Sequence, residues 1–265
     1  MPQLHFIHQS IVPVRKTASD SAEMVTQLLF GELVEVLEQD RQWRKVQNQT
    51  DGYQGWIDEK MLIPVSTDFL QGISHWEFLS SPYSAVLYRE ADLAFPFKLV
   101  LGSPIPINNH LNSGDNVRLK FGDFQFVIPR TSLRPALTPT PRSLISVSED
   151  FLATPYLWGG RSVWGIDCSG FVQQVYQMHG INLPRDAAQQ VEKGQEIPFA
   201  QAQAGDLAFF ENDKGRIHHV GLLLGNGLIR HAHGNLHDDP IDSEGILDLK
   251  RQIRTHRLRC VKRIV

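Results

Sequence analysis

The sequence predicts an α+β protein in which two small β-barrels precede a domain of helices packed on an antiparallel sheet. Three observations lead to that class. The first half is a succession of short strand-like segments separated by turn residues, and the succession occurs twice in the same order. The stretch RPALTPTPR from Arg134 to Arg142 then interrupts the pattern with three prolines in nine residues. Beyond it, apolar residues recur first at helical spacing and afterwards at strand spacing.

In the first copy, residues 11–15 are followed by 28–36, then by 43–46 and the string Gly52-Tyr53-Gln54-Gly55-Trp56-Ile57. The second copy runs through 85–89, 98–102, 105–107, 116–120 and 122–128. About five strands in roughly 60 residues suffice for a small barrel, which sets modules at 1–65 and 66–134 and a third domain at 135–265. Proline fixes φ and removes a backbone donor, so the segment 134–142 is expected to be an extended linker. In the third domain helices are expected over 143–153, stopped by Thr154-Pro155, over 169–179, stopped by Gly180, and over 187–193. Strands are expected at 206–211, 219–224, 228–232 and 258–265.

Composition narrows the function classes. The net charge is −3 with both signs interspersed, which offers no field for a polyanion such as nucleic acid. No apolar run approaches the roughly 18 residues of a membrane span, so no membrane partner is expected. The opening MPQLHFIHQSIVPVRK lacks the basic start, apolar stretch and small-residue cleavage site of a secretory signal. A cytoplasmic monomer is therefore expected, with a periplasmic or secreted location as the alternative.

There are two cysteines, too few for a disulfide framework. Cys260 lies in an apolar C-terminal stretch and reads as a buried structural thiol. Cys168 differs, because it stands where the Gly-bearing loop 159–167 enters a helix. The thiolate is the nucleophilic form of cysteine, and the positive end of a helix favours it. The same N–H groups suit the oxyanion formed when a carbonyl is attacked.

Histidines follow at the right places to activate that thiol. Ile217-His218-His219-Val220-Gly221 opens one strand, Leu228-Ile229-Arg230-His231-Ala232-His233 forms the next, and Gly225-Asn226-Gly227 is a tight turn between them. Adjacent antiparallel strands bring one histidine of each pair side by side, one as base and one to orient it. His218, His219, His231, His233 and His237 together with Cys168 could ligate zinc by number, yet no helical His-x-x-x-His or paired Cys-x-x-Cys is present. No metal and no cofactor are expected.

These residues carry a family resemblance. Asp-Cys-Ser-Gly-Phe-Val at 167–172, His-Val-Gly-Leu at 219–222 and a polar residue after the following turn resemble the NlpC/P60 cysteine peptidases, whose domain is papain-like. The intervals agree, with 51 residues from Cys168 to His219 and 12 more to His231. Pro155-Tyr156-Leu157-Trp158-Gly159-Gly160, Leu183-Pro184-Arg185 and Ala204-Gly205-Asp206-Leu207 are further landmarks in family order. The first module, with its Gly-x-x-Gly-Trp-Ile string, resembles bacterial SH3-like (SH3b) modules, and the second is a degenerate copy.

The resemblance implies that Cys168 is the nucleophile, His219 the general base and His231 the orienting member. It further implies cleavage of the γ-D-glutamyl–diamino acid bond in peptides that begin with a free L-Ala, that is, small peptides derived from bacterial cell wall. Asp167 and Ser169 are then expected to hold the substrate's N-terminal end, with Tyr53 and Glu23 supplied by the SH3b module. Tyr156 and Trp158 are expected on the cleft wall, and Arg185-Asp186 matches a helix-starting motif in which Ala187 replaces the usual serine. Recycling of free muropeptides is the activity implied. A secreted endopeptidase of intact wall, or a wall-binding protein without catalysis, is the alternative.

Overall fold

The computed structural model describes residues 3–80, 85–90, 93–108, 114–122, 124–249 and 251–265, with the backbone alone for 85–90 and 93–95. Asp123 of the second repeat lies outside the described residues. The chain divides into two compact units, Met1–Ala136 and Leu137–Val265.

In the N-terminal unit, residues 4–64 form a seven-stranded sheet. Its spatial order is Met24–Leu29, Ile11–Arg15, Gln54–Asp58, Trp43–Asn48, Leu33–Asp40, Leu4–Ile7 and Leu62–Pro64. Alternate residues bury Val12, Val14, Val46 and Ile57 into one cluster with Ile7, Leu28 and Val34. The second repeat splits into two smaller sheets. One orders Leu93–Lys98, Ala85–Glu90, Phe124–Pro129 and Asn116–Phe121, and the other orders Pro104–Ile107, His75–Leu79 and Leu133–Pro135.

The two repeats share a core. Phe6 and Phe30 from the first meet Phe121 and Phe126 from the second, with ring centroids 4.6 Å apart for Phe6–Phe121 and 4.9 Å for Phe30–Phe126. A barrel of about 60 residues buries a smaller share of its surface than a larger domain does, and fusing two cores offsets that weakness. The strand expected at 98–102 is corrected. The strand is Leu93–Lys98, and Leu99, Val100 and Leu101 are fully buried in a turn ended by Gly102 at φ 80°. Burial of that apolar run, rather than ladder pairing, explains its composition.

The first helix of the C-terminal unit begins inside the proline stretch, at Pro141 rather than the expected 143. Thr140 caps a helix Pro141–Glu149, accepting from the Ser143 N–H at 3.1 Å, with Pro141 in the first turn. Proline is favoured there because its missing N–H has no helical partner anyway. A second helix, Cys168–Gln177, is buried at every residue, and a short one covers Ala187–Gln190.

After them the antiparallel sheet runs Gln195–Ile197, Ile253–Arg263, Leu207–Glu211, Ile217–Gly225, Leu228–His233, Asn235–Asp242, Gly245–Asp248. Gly245–Asp248 also pairs with Ile253–Arg263, so six of these strands close on themselves. Closure removes free sheet edges and requires each strand to find two neighbours. Four strands here exceed the expectation: Gln195–Ile197, Asn235–Asp242 and Gly245–Asp248 are additional, and the last strand starts at Ile253 rather than 258. Cys260 is also corrected. Its neighbour Val261 enters the core, and pleating turns Cys260 to the other face, where it is half-buried.

Candidate active site

The site is assembled from a loop, a helix start and four strands. Asp167 precedes the helix Cys168–Gln177, and its carboxylate accepts from the Gly170 N–H at 2.7 Å, an ordinary N-cap. The same carboxylate accepts from the Gly159 N–H at 2.9 Å, which ties the Gly159-Gly160 turn to the helix. Arg185 reaches it with two nitrogens, at 3.0 and 2.6 Å, and also donates to Ser169 Oγ at 2.9 Å. Gly170 permits the approach of loop and helix, since a Cβ there would collide with the Gly160 carbonyl oxygen.

This knot holds three of the residues expected to bind substrate. Asp167, Ser169 and Arg185 are all buried, and Arg185 is only 1% exposed. Their hydrogen bonds to one another, and those of Asp167 to Gly159 and Gly170, hold the loop that presents Cys168. Asp186 likewise acts locally, standing at the N-cap of Ala187–Gln190 with its N–H donated to Gln189 Oε1 at 3.3 Å. Gln190, not foreseen, donates to the carbonyls of Ser169 and Pro184 at 3.0 and 2.8 Å and joins that short helix to the nucleophile's helix.

The Cys168 thiol lies against the backbone N–H groups of Val220 and of Ser169. Val220 directly follows His219, so the strand Ile217–Gly225 meets the helix start at its histidine end. Burial pushes the thiol up to about 12; the Asp167 charge acts in the same direction, and the two N–H groups and Arg185 act against it. Burial also holds His219 well below the ordinary imidazole range, with further depression from His256, His231, His218 and His233. Both shifts favour a resting pair of neutral thiol and neutral imidazole.

The turn Asn226-Gly227 has both residues at positive φ, 53° and 70°, the type I′ geometry of a two-residue hairpin. It returns the chain so that His231 meets His219, with His219 Nε2 and His231 Nδ1 2.9 Å apart. The next strand is pinned in turn. Arg230 forks onto Asp238 at 2.7 and 2.8 Å on one face, which places Asp239 on the other, 3.2 Å from His231 Nε2.

That chain of contacts sets the proton positions. The Asp239 carboxylate accepts, so His231 Nε2–H donates to it and His231 Nδ1 keeps its lone pair. His219 Nε2–H must then donate to His231 Nδ1. The nitrogen left on His219 is a bare Nδ1, free to accept a proton.

His256 completes the cluster. Its ring stacks on His219 at 4.2 Å between centroids and meets His231 edge-on at 5.6 Å. Closure of the sheet brings the last strand there, and nothing in RQIRTHRLR announces it. Tyr156 and Trp158 are 38% and 60% exposed. Cys168 and Asp167 are near enough to Tyr156 to help burial push its hydroxyl up to about 12. His218 and His233 are exposed. Tyr53 and Glu23 belong to the N-terminal unit: the Tyr53 N–H donates to Asp51 Oδ1 at 2.9 Å, and Glu23 pairs with Lys16 at 3.1 Å.

Comparison with known proteins places the arrangement. The sequence profile of the NlpC/P60 family matches residues 153–255, and that of the bacterial dipeptidyl-peptidase SH3 domain matches 14–62. A γ-D-glutamyl-L-lysine dipeptidyl-peptidase of Bacillus subtilis (strain 168) is 35% identical over 220 residues, spanning 78% of this chain and 71% of its own length. The chain belongs to the NlpC/P60 family.

A relative of the same name from Bacillus cereus (strain ATCC 10987 / NRS 248) is 31% identical over 232 residues, covering 81% of this chain and 68% of that protein. The crystal structure of an NlpC/P60 family protein from Bacillus cereus ATCC 10987 shares the fold, with TM-score 0.83 at 24% identity over 98% of this chain and 99% of that one. This NlpC/P60 protein is a peptidase, a hydrolase of peptide bonds in peptidoglycan. Its histidine relay joins His219 to His231 and His231 to the Asp239 carboxylate, at 2.9 and 3.2 Å.

Proposed function

We propose that the protein is a papain-like cysteine peptidase that hydrolyses the γ-D-glutamyl–diamino acid bond of small muropeptides whose N-terminal L-Ala is free. The observation that carries the catalytic part is the His219–His231 contact of 2.9 Å on a strand whose next residue, Val220, abuts the Cys168 thiol. The substrate part is supported by the names of the two Bacillus relatives.

In this reading the Cys168 proton passes to His219 Nδ1 as sulfur attacks the γ-carbonyl carbon. The carbonyl π pair moves to oxygen, giving a tetrahedral oxyanion. Asp167 occupies the Gly170 N–H, and its carbonyl takes the Phe171 N–H at 2.9 Å. The first-turn N–H groups of Cys168 and Ser169 are then the donors nearest that oxyanion. Collapse expels the diamino acid amine, which takes the proton from His219. A thioester to L-Ala-γ-D-Glu remains, and water deprotonated by His219 releases it. Tyr156 and Trp158, exposed beside the nucleophile loop, line the approach.

The protein works in this reading as a cytoplasmic monomer on free peptides released by wall turnover, needing neither metal nor cofactor for the reaction. Mass spectrometry of L-Ala-γ-D-Glu-diaminopimelate, beside the same peptide with its amine blocked, tests it. Release of L-Ala-D-Glu from the free peptide alone is expected. Equal cleavage of the blocked peptide would instead favour an endopeptidase of intact wall. Glu23→Gln and Tyr53→Phe are the variants to compare, with a raised KM for the free peptide expected.

A further inference from the structure

The strand Asn235–Asp242 carries a feature that hydrolysis does not use. His237 Nδ1 lies 2.9 Å from the Asn235 carbonyl oxygen, so Nδ1–H donates there and Nε2 of the neutral ring holds a lone pair. That lone pair faces Asp239 Oδ2 at 3.1 Å. In that form two acceptors confront each other, and either a proton on Nε2 or a metal ion between them satisfies both. His231 Nε2 is the third donor, 3.2 Å from the same oxygen, and all three ligand atoms lie within 4.8 Å of one another.

We propose that His231, His237 and Asp239 form a binding site for a divalent transition-metal ion, of which Zn²⁺ is the type, and that the bound ion switches the peptidase off. The donor set of two imidazoles and a carboxylate suits such ions. Zinc bonds of about 2.0–2.2 Å place neighbouring tetrahedral ligands about 3.3 Å apart, and the two N–O separations already stand at 3.1 and 3.2 Å. The ion has a way in, because His237 and Asp239 are 33% and 24% exposed on their side chains. The inner trio His219, His231 and His256 offers a weaker case, since all three are buried and leave an ion no way in.

The inhibitory consequence rests on His219 being the base. A metal ion at His231 Nε2 takes that lone pair, so the ring's proton resides on Nδ1. Nδ1–H then donates to His219 Nε2, and the His219 proton moves from Nε2 to Nδ1. No proton is gained or lost by the pair, and no bond other than N–H changes hands. The nitrogen that received the thiol proton now carries one, and Cys168 loses its base.

Full-length protein should be titrated with Co²⁺, whose visible absorption reports coordination without reference to turnover, and with Zn²⁺ during turnover. The wild type is expected to take up one equivalent with a cobalt spectrum of imidazole and oxygen ligation, and to lose activity with the same midpoint under Zn²⁺. His237→Ala should keep its basal activity, bind at least tenfold more weakly and resist Zn²⁺. Cys168→Ala should retain the cobalt spectrum. No binding by the wild type, unchanged binding by His237→Ala, or loss of binding in Cys168→Ala would overturn the site. The last result would place the metal on the thiol instead. Binding at this site with no fall in turnover would overturn the switch, while an inactive wild type that still binds cobalt would count against the peptidase reading and not the site.

Discussion

Acidification should loosen the C-terminal unit through its histidine cluster, before its carboxylates protonate. Burial lowers His231 to about 4, opposed by its bond to Asp239, and lowers His256 to about 3, with His231, His233 and His218 adding to the depression. Protonating either ring sets a charge among imidazoles whose centroids lie 4.2–5.6 Å apart. In the unfolded chain both rings bind protons near pH 6.5. Their folded values are depressed, so their contribution is complete above that pH and is lost progressively as the pH falls toward 4 and 3. Between pH 6.5 and 5.0 each ring should cost about 1.5 kcal/mol of folding free energy, or about 3 kcal/mol together. Hydrogen exchange read on peptides from 207–263, at matched chemical exchange, measures it. His256→Phe keeps a ring in the stack and should abolish about 1.5 kcal/mol of the loss, leaving the shares of His231 and of His219, which is also held low. A stability independent of pH over that range, or an equal loss in His256→Phe, would refute the reasoning.

Arg185→Met leaves the buried Asp167 carboxylate without its cation and should cost about 3–5 kcal/mol; adding Asp167→Asn should return part of that in urea denaturation. Asp239→Leu removes a charge-assisted hydrogen bond worth about 1.5–3 kcal/mol, so kcat should fall ten- to a hundredfold with KM little changed. Asp239→Asn, whose amide oxygen still accepts from His231, should recover most of it. The acid limb of kcat/KM should lie below pH 6.5, because His219 is held neutral below the ordinary imidazole range; a limb at or above 6.5 would contradict the burial argument.

What is legible in the sequence is local. Gly225-Asn226-Gly227 dictates a hairpin, and a hairpin brings one histidine of each pair together; that the pair is His219 and His231 follows from the family interval, and the two rings meet in the structure. The helix at Cys168 is equally plain, because Asp167, an N-cap residue, precedes an apolar periodic run. Closure of the sheet is not local. The strand Asn235–Asp242 reads NLHDDPID, whose charge and proline suggest a loop, yet it is held by Arg230–Asp238 and carries Asp239. The last strand hides His256 among arginines for the same reason: its outward residues are solvated, and only alternate positions betray a pleat. The fused core of the N-terminal unit is likewise invisible in the repeat, since nothing in either copy states that Phe6 will meet Phe121. Arg185 looks like a surface motif residue until its partner Asp167 is seen beside it.

The central claim is that Cys168 attacks and His219 receives its proton. Acid-quenching the enzyme during turnover of L-Ala-γ-D-Glu-diaminopimelate, followed by peptide mapping, tests it most directly. The account predicts a thioester on Cys168 with the mass of L-Ala-D-Glu less one water, absent in Cys168→Ala and in His219→Ala. Turnover by Cys168→Ala, or an acyl group carried by any other residue, would contradict it.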